Sequence, residues 1–216
     1  MSYISDPAAL DAADRLAGYR ARFMLPPGVI YLDGNSLGPL PAALPAILAD
    51  VVARQWGEGL IRSWNDAGWI DLPVTLGARI APLLSAAPDC VVACDSVSVN
   101  IFKLAGAALA LRPGRRTIIC EADDFPTDRY VLDGLARLMG ARLKLVARAD
   151  IAAALDGDTA LILLCHAHYA TGAVHDMAAI SALAHAAGAL TLWDLSHSAG
   201  ALQVALDVDG ADFAVG

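Results

Sequence analysis

The chain changes its hydrophobic rhythm near residue 90. Before it, apolar and polar positions follow helical spacing between dense turn clusters; after it, short apolar runs alternate with helical stretches. Residues 6–22 carry a helical pattern that Asp6 and Pro7 can open as N-cap and first helical residue. Leu25-Pro26-Pro27-Gly28 ends it, Val29–Leu32 reads as a short strand, and Asp33-Gly34-Asn35-Ser36-Leu37-Gly38-Pro39 is a turn cluster. Helices are expected over Pro41–Trp56 and Pro73–Ser85, with a loop rich in Gly and Trp over residues 57–73. Beyond residue 90 the pattern predicts strands at Cys90–Cys94, Thr117–Cys120, Leu143–Ala147, Ala160–Cys165, Leu190–Trp193 and Asp212–Val215. Helices at Val97–Leu111, Thr127–Met139, Asp150–Leu155 and Asp176–Ala186 separate them. Such alternation implies right-handed crossovers and an α/β fold with a largely parallel sheet flanked by helices. No internal repeat or low-complexity linker interrupts it.

Composition narrows the class. The 216 residues make one ordinary domain or part of a larger protein. With 57% hydrophobic and 18% charged residues, disorder is excluded. Mean hydropathy is +0.52, raised by 45 Ala rather than by a bulky apolar face. Met177–Trp193 lacks formal charge but is rich in Ala and Gly, and reads as a helix, a turn and a strand rather than a membrane span. The first 25 residues show no secretory leader. A net charge of -8 with no basic stripe argues against nucleic-acid binding. The four cysteines (Cys90, Cys94, Cys120, Cys165) form no CxxC pair and suit a reducing cytoplasm as small apolar residues. His166-x-His168 could begin a metal site, but no third or fourth ligand follows at zinc-like spacing.

In parallel sheets, ligands bind beyond the carboxyl ends of the strands, near helix N-termini. Four polar clusters fall at consecutive strand ends: Asp95–Ser98, Glu121–Asp128, His166–Gly172 and Asp194–His197. No GxGxxG, GxxxxGK[ST] or GxSxG motif appears, so the usual dinucleotide, nucleotide-triphosphate and α/β-hydrolase fingerprints are missing. Ser98 at a helix start could bind a phosphate monoester or simply cap the helix. Asp194 ends an apolar strand, where a carboxylate is costly unless paired. It could pair with a protonated heterocyclic nitrogen or cap a turn. Phe125 could stack on a flat ring or pack in the core, and His197 could reach the same pocket or make a structural contact. A phosphate cradle, a stacking aromatic and an acid for a ring nitrogen together describe pyridoxal phosphate.

The chain resembles the kynureninase family of fold-type-I pyridoxal-phosphate enzymes, related to aminotransferases and cysteine desulfurases. The motifs are Tyr31–Pro39 with its Asn-Ser-Leu-Gly, the Trp64-Asn65 and Gly68-Trp69 loop, Val97–Asn100, Phe125-Pro126-Thr127-Asp128, Tyr169–Gly172 and Asp194–Gly200. The likeness runs from about residue 28 to the end. The Asp-x-x-His segment is shared by the wider superfamily; Asn-Ser-Leu-Gly combined with Phe-Pro-Thr-Asp is more specific.

The resemblance implies an aminotransferase-like large domain, incomplete here, over 66–216, and a segment 1–65 that contributes to a small domain and the substrate site. It implies that Val97 and Ser98 hold the cofactor phosphate, Phe125 stacks on the ring, and Thr127 and Asp128 hydrogen-bond around it. Asp194 would pair with the ring nitrogen, His197 would lie beside the ring oxygen, and Cys165 or Thr171 would touch the cofactor. Ser36 and Trp64 would reach the substrate. The implied reaction, in tryptophan catabolism, is hydrolysis of L-kynurenine or 3-hydroxykynurenine to an anthranilate and L-alanine by a cytoplasmic homodimer. A cysteine desulfurase, an aminotransferase or a non-catalytic fragment that only binds a partner are the alternatives. The family needs a Schiff-base lysine, and Lys103 (inside a helix) and Lys144 (opening a strand) do not suit that role. The resemblance puts that lysine shortly after Asp212–Val215, beyond Gly216, so these 216 residues alone are expected not to turn over kynurenine.

Overall fold

The computed structural model describes residues 6–216, in two compact units that divide between Ile70 and Asp71. The first unit is built from short elements with little buried side-chain surface. Helix α1 (Pro7–Ala13) starts where the Asp6 carboxylate accepts the Ala8 N–H at 3.0 Å. It stops sooner than the pattern over 6–22 suggests, because Asp14 Oδ1 accepts the Leu16 N–H at 2.8 Å and turns the chain. Strands β1 (Phe23–Met24) and β2 (Leu40–Pro41) form a short antiparallel pair. The strand expected at Val29–Leu32 does not form. The segment from residue 31 is instead tied into a turn: Tyr31 Oη donates to the Leu37 carbonyl at 2.6 Å and Ser36 Oγ to Asp33 at 2.7 Å. Helix α2 (Leu44–Asp50) widens into a π turn over Val51–Trp56. The expected loop over 57–73 contains helical turns, among them α3 (Ser63–Asp66), and Trp69 Nε1 donates to Gln55 at 2.8 Å.

The second unit carries the sheet. Helix α4 (Leu72–Ile80) lies against the extended segment after it, and a Cβ at Gly77 would stand 1.9 Å from the Val91 carbonyl oxygen. That segment includes Cys90–Cys94, where a strand is expected and none forms. A strand exists only with a ladder partner, and here Ala93 N–H bonds to the Pro73 carbonyl instead. Then follow α5 (Val97–Leu111), β3 (Thr117–Glu121), α6 (Pro126–Met139), β4 (Arg142–Val146), α7 (Ile151–Ala154), β5 (Thr159–Cys165), α8 (Met177–Ala186), β6 (Leu190–Asp194), α9 (Leu206–Asp209) and β7 (Phe213–Val215). The strand order is β4-β3-β5-β6-β7, and every pairing is parallel.

Both faces of the inner strands are covered, which is why β5 is buried along its whole length and apolar from Ala160 onward. Ile118, Cys120, Leu161, Leu163 and Leu192 face α5 and α6; Ile119, Ile162, Leu164 and Trp193 face α7 and α8. At the amino ends of the strands, Arg115 donates to the carbonyls of Thr159 (2.8 Å) and Ala187 (2.7 Å), and Arg112 to that of Gly188 (2.9 Å). The end of α5 is thus fixed at the amino edge of the sheet, and its N-terminus points to the carboxyl edge. No helix among the described residues is long and apolar enough to cross a membrane.

Leu163 is fully buried at the centre of the sheet. Leu163→Ala is expected to cost about 2–5 kcal/mol in denaturant unfolding; a loss below about 1 kcal/mol would contradict the packing described.

Candidate functional site

The two-residue period of the strands puts Cys165 and Asp194, register partners at the ends of β5 and β6, on the α5/α6 face. Asp194 is buried. Its Oδ1 accepts the Ser196 N–H at 2.8 Å and the Ser196 hydroxyl at 2.6 Å, and its Oδ2 lies 3.5 Å from the Cys165 thiol. Asp128, in the first turn of α6, reaches the same sulfur at 3.7 Å. These three side chains offer polar atoms within 4.8 Å of one another. A third carboxylate, Asp124, is fully buried beside them and accepts the Cys165 N–H at 3.1 Å; its Oδ1 has no partner. Among the described residues, no lysine or arginine makes an ion pair with Asp124, Asp128 or Asp194.

Crowded, buried carboxylates cannot all ionise cheaply. Burial, followed by the charge of Asp194, pushes Asp128 up to about 8. Burial raises Asp124 to about 6. Burial, then the charge of Asp124, pushes the Cys165 thiol well up, so it stays a protonated donor and not a nucleophile.

An aromatic group stands at the same strand ends. Phe125, just before Pro126 opens α6, is 38% exposed and so is not a core residue. Its ring meets Tyr169 edge-to-face at 5.4 Å, and both rings lie 6.5 Å from His197. Thr127 is half-buried on the same turn as Asp128. Thr171 is exposed, and its hydroxyl accepts the Ala173 N–H at 3.3 Å within the turn after β5.

The start of α5 distinguishes its two serines. Ser96, not Ser98, is the N-cap and accepts the Val99 N–H at 3.4 Å. No hydrogen bond within the described residues engages the N–H groups of Val97 and Ser98 or the Ser98 hydroxyl. They stand at the positive end of a 15-residue helix. Ser98 also lines an apolar groove of about 380 Å³ between α5 and α6, with Phe102, Tyr130 and Leu135; no residue of the acid cluster lines that groove. Lys103 pairs with Asp95 at 2.5 Å, and Lys144, in the middle of the edge strand β4 rather than opening it, donates to the Ala154 carbonyl at 2.9 Å. Ser36 and Trp64 belong to the first unit: Ser36 is exposed and bonded to Asp33, and Trp64 is half-exposed at 6.5 Å from Trp69.

Three participants escape a reading of the sequence. Asp124 hides in the acidic run Glu121–Asp128, and its burial depends on β5, 41 residues away. Tyr169 and His168 sit in the His-Ala-His-Tyr stretch, where the spacing hints at metal binding. His168 has both nitrogens occupied by the backbone, and His166 packs edge-on against Trp193 at 6.1 Å, so the pair does not converge.

A parallel sheet with helices on both faces binds ligands at its carboxyl edge, which is where the acid cluster lies. The model of the family described as aminotransferase class-V matches residues 81–216, and the chain belongs to that family. Among curated relatives it is 50% identical to kynureninase of Pseudomonas fluorescens, over 100% of this chain and 54% of that protein. To kynureninase of Burkholderia mallei it is 49% identical, over 96% of this chain and 52% of that one. The chain spans about half the length of these relatives. Solved structures with the same fold include the cysteine desulfurase CsdA from Escherichia coli (TM-score 0.74, 19% identity, 93% of this chain and 53% of that one). A cysteine desulfurase from Thermococcus onnurineus NA1 is another (TM-score 0.68, 18% identity, 99% and 53%).

The acid cluster fixes a pH dependence. Asp128 and Asp124 release protons near 3.8 when unfolded but only near 8 and 6 when folded, so the folded chain binds more protons between those limits. The contribution of these two acids to stability is therefore fully present below about pH 4 and is lost as the pH rises through about 6 and about 8, at about 1.4 kcal/mol per proton per pH unit. Asp128→Asn is expected to flatten that decline in thermal melts taken from pH 5 to 8. Because buried His166 and His175 act in the opposite sense over this range, the readout is the difference between the two proteins: a variant whose melting temperature follows the same pH course as the wild type would contradict the assignment.

Proposed function

We propose that this chain holds pyridoxal phosphate and forms the cofactor-binding part of a kynureninase. The reaction is hydrolysis of L-kynurenine or 3-hydroxykynurenine to anthranilate or 3-hydroxyanthranilate and L-alanine. The single observation that carries the reading is a buried set of carboxylates, without a lysine or arginine partner among the described residues, at the carboxyl edge of a parallel sheet. Such a cluster lacks a positive group, and a protonated ring nitrogen has the charge and the flat shape to complete it. The 50% identity to a kynureninase along the whole chain supports the substrate class.

In this reading Val97 and Ser98 bind the phosphate through free N–H groups and a hydroxyl. Asp194 holds the proton at the ring nitrogen, with Ser196 fixing the orientation of the carboxylate. Phe125 stacks on the ring; Thr127 and Asp128 hydrogen-bond around it; His197 lies beside the ring oxygen. Cys165 or Thr171 contacts the cofactor from the end of β5. Ser36 and Trp64 serve the substrate, within a segment 1–65 that contributes to a small domain, while 66–216 form the cofactor-binding domain. Pyridoxal phosphate, when bound, supplies a conjugated ring that accepts electrons from the substrate. Asp194 keeps that ring electron-poor at neutral pH. Neither lysine of the chain is bonded to the acid cluster, so catalysis requires a lysine brought to it from elsewhere. The whole enzyme is read as a cytoplasmic homodimer.

The test is a titration of the chain with pyridoxal phosphate, followed by absorbance and tryptophan fluorescence. Saturable, reversible binding is expected, and Asp194→Asn should weaken it about tenfold or more, equivalent to ~1.4 kcal/mol. Binding unaffected by Asp194→Asn would overturn the assignment. Anthranilate release from kynurenine by this chain alone would contradict the account of its lysines.

A further inference from the structure

The turn after β5 is built around one imidazole that neither the acid cluster nor the phosphate cradle uses. Residues 166–175 form a small hairpin, with an antiparallel bridge between Ala167 and Val174 and a bond from the His175 N–H to the His166 carbonyl at 3.0 Å. His168 is 5% exposed at its heart. Its Nδ1 accepts the N–H groups of Ala170 (3.2 Å) and Thr171 (3.3 Å), and its Nε2 lies 3.0 Å from the Asp123 carbonyl. Two backbone donors aimed at Nδ1 leave no room for a hydrogen there, so the ring is the neutral Nε2–H form and donates to Asp123. Tyr169 stacks on this imidazole at 5.1 Å with a 22° tilt, and meets Phe125 edge-to-face on its other side.

His168 therefore joins the tip of the β5–α8 turn to the β3–α6 turn that carries Phe125 and Asp124. We propose that His168 is a positioning residue for the cofactor site. By accepting the Ala170 and Thr171 N–H groups and donating to Asp123, it fixes Tyr169 against Phe125 and so sets the aromatic wall over the acid cluster. It acts through Tyr169 and Phe125 and does not itself meet the cofactor. This rests on the pyridoxal-phosphate reading above. His175 is a contrast within the same hairpin: its Nε2 bonds to Glu121 at 2.7 Å, both side chains are buried, and it fastens the base rather than the tip.

Two substitutions separate the imidazole's parts. His168→Asn keeps a side-chain acceptor for the two N–H groups but loses the ring; His168→Phe keeps a ring under Tyr169 but has no acceptor. If the acceptor positions the wall, His168→Phe weakens pyridoxal-phosphate binding about tenfold and His168→Asn restores most of it. His175→Gln should lower thermal stability with less than a threefold change in that affinity. Nitrogen-15 NMR of the wild-type chain at neutral pH should show His168 as the neutral Nε2–H tautomer, whether or not cofactor binds.

Equal affinity for His168→Phe and wild type, or rescue by Phe but not by Asn, would overturn the proposal. So would a proton on Nδ1. A wild-type chain that binds no pyridoxal phosphate while His168 shows the expected tautomer would instead overturn the cofactor reading. The role of His168 would then be tested by the near-ultraviolet circular dichroism of Tyr169 and Phe125, which should be lost in His168→Phe and kept in His168→Asn. Any other pattern there refutes it.

Discussion

Carboxyl groups buried without a lysine or arginine partner among the described residues are the constraint around which the second unit is organised. Asp124, Asp128 and Asp194 converge on Cys165 at the carboxyl edge of the sheet, where apolar strands leave them little water. A structure accumulates such a liability only where something offsets it. Part of the offset is internal: Ser196 donates twice to Asp194, the backbone of Cys165 donates to Asp124, and a proton stays on Asp128. One atom of the cluster, Asp124 Oδ1, has no partner, and no hydrogen bond within the described residues engages the Val97 and Ser98 N–H groups at the start of α5. The proposed ligand, with a phosphate at one end and a protonated heterocycle in its ring, would complement both.

The rest of the unit serves this placement. Five parallel strands with apolar residues on both faces make a rigid platform, and arginines hold its amino edge. With that edge fixed, the loops at the opposite edge can be given over to polar and aromatic groups. Phe125, Tyr169 and His197 make a wall there, drawn from the ends of three adjacent strands. The buried Glu121–His175 pair lies across the sheet from the acid cluster, as the alternation of side chains along β3 requires.

Much of this was legible in the residues. The alternation of apolar runs with helical stretches gives the sheet, because a parallel strand covered on both faces is largely apolar between its ends. Asp194 stood out because it ends such a run. Other features depend on partners distant in sequence. Cys90–Cys94 has the composition of a strand, but a strand needs a neighbour, and its backbone turns to Pro73 instead. Val29–Leu32 is overridden by bonds from Tyr31 and Ser36 that close a local turn. The sequence does not distinguish Ser98 from a cap, because the cap is set by backbone geometry that places Ser96 there. Asp124 is one acid among several in its segment, and only the end of β5 makes it a buried one.

The most direct measurement is infrared difference spectroscopy of the chain before and after addition of pyridoxal phosphate at neutral pH, with Asp128→Asn as the reference. A buried, protonated carboxylic acid gives a carbonyl stretch well separated from that of a carboxylate. The account requires this band in the free chain, its loss when the cationic ring arrives, and its absence from the variant. A free chain without such a band, or one whose band ignores the ligand, would show that the acids at 124, 128 and 194 are not a cluster waiting for positive charge.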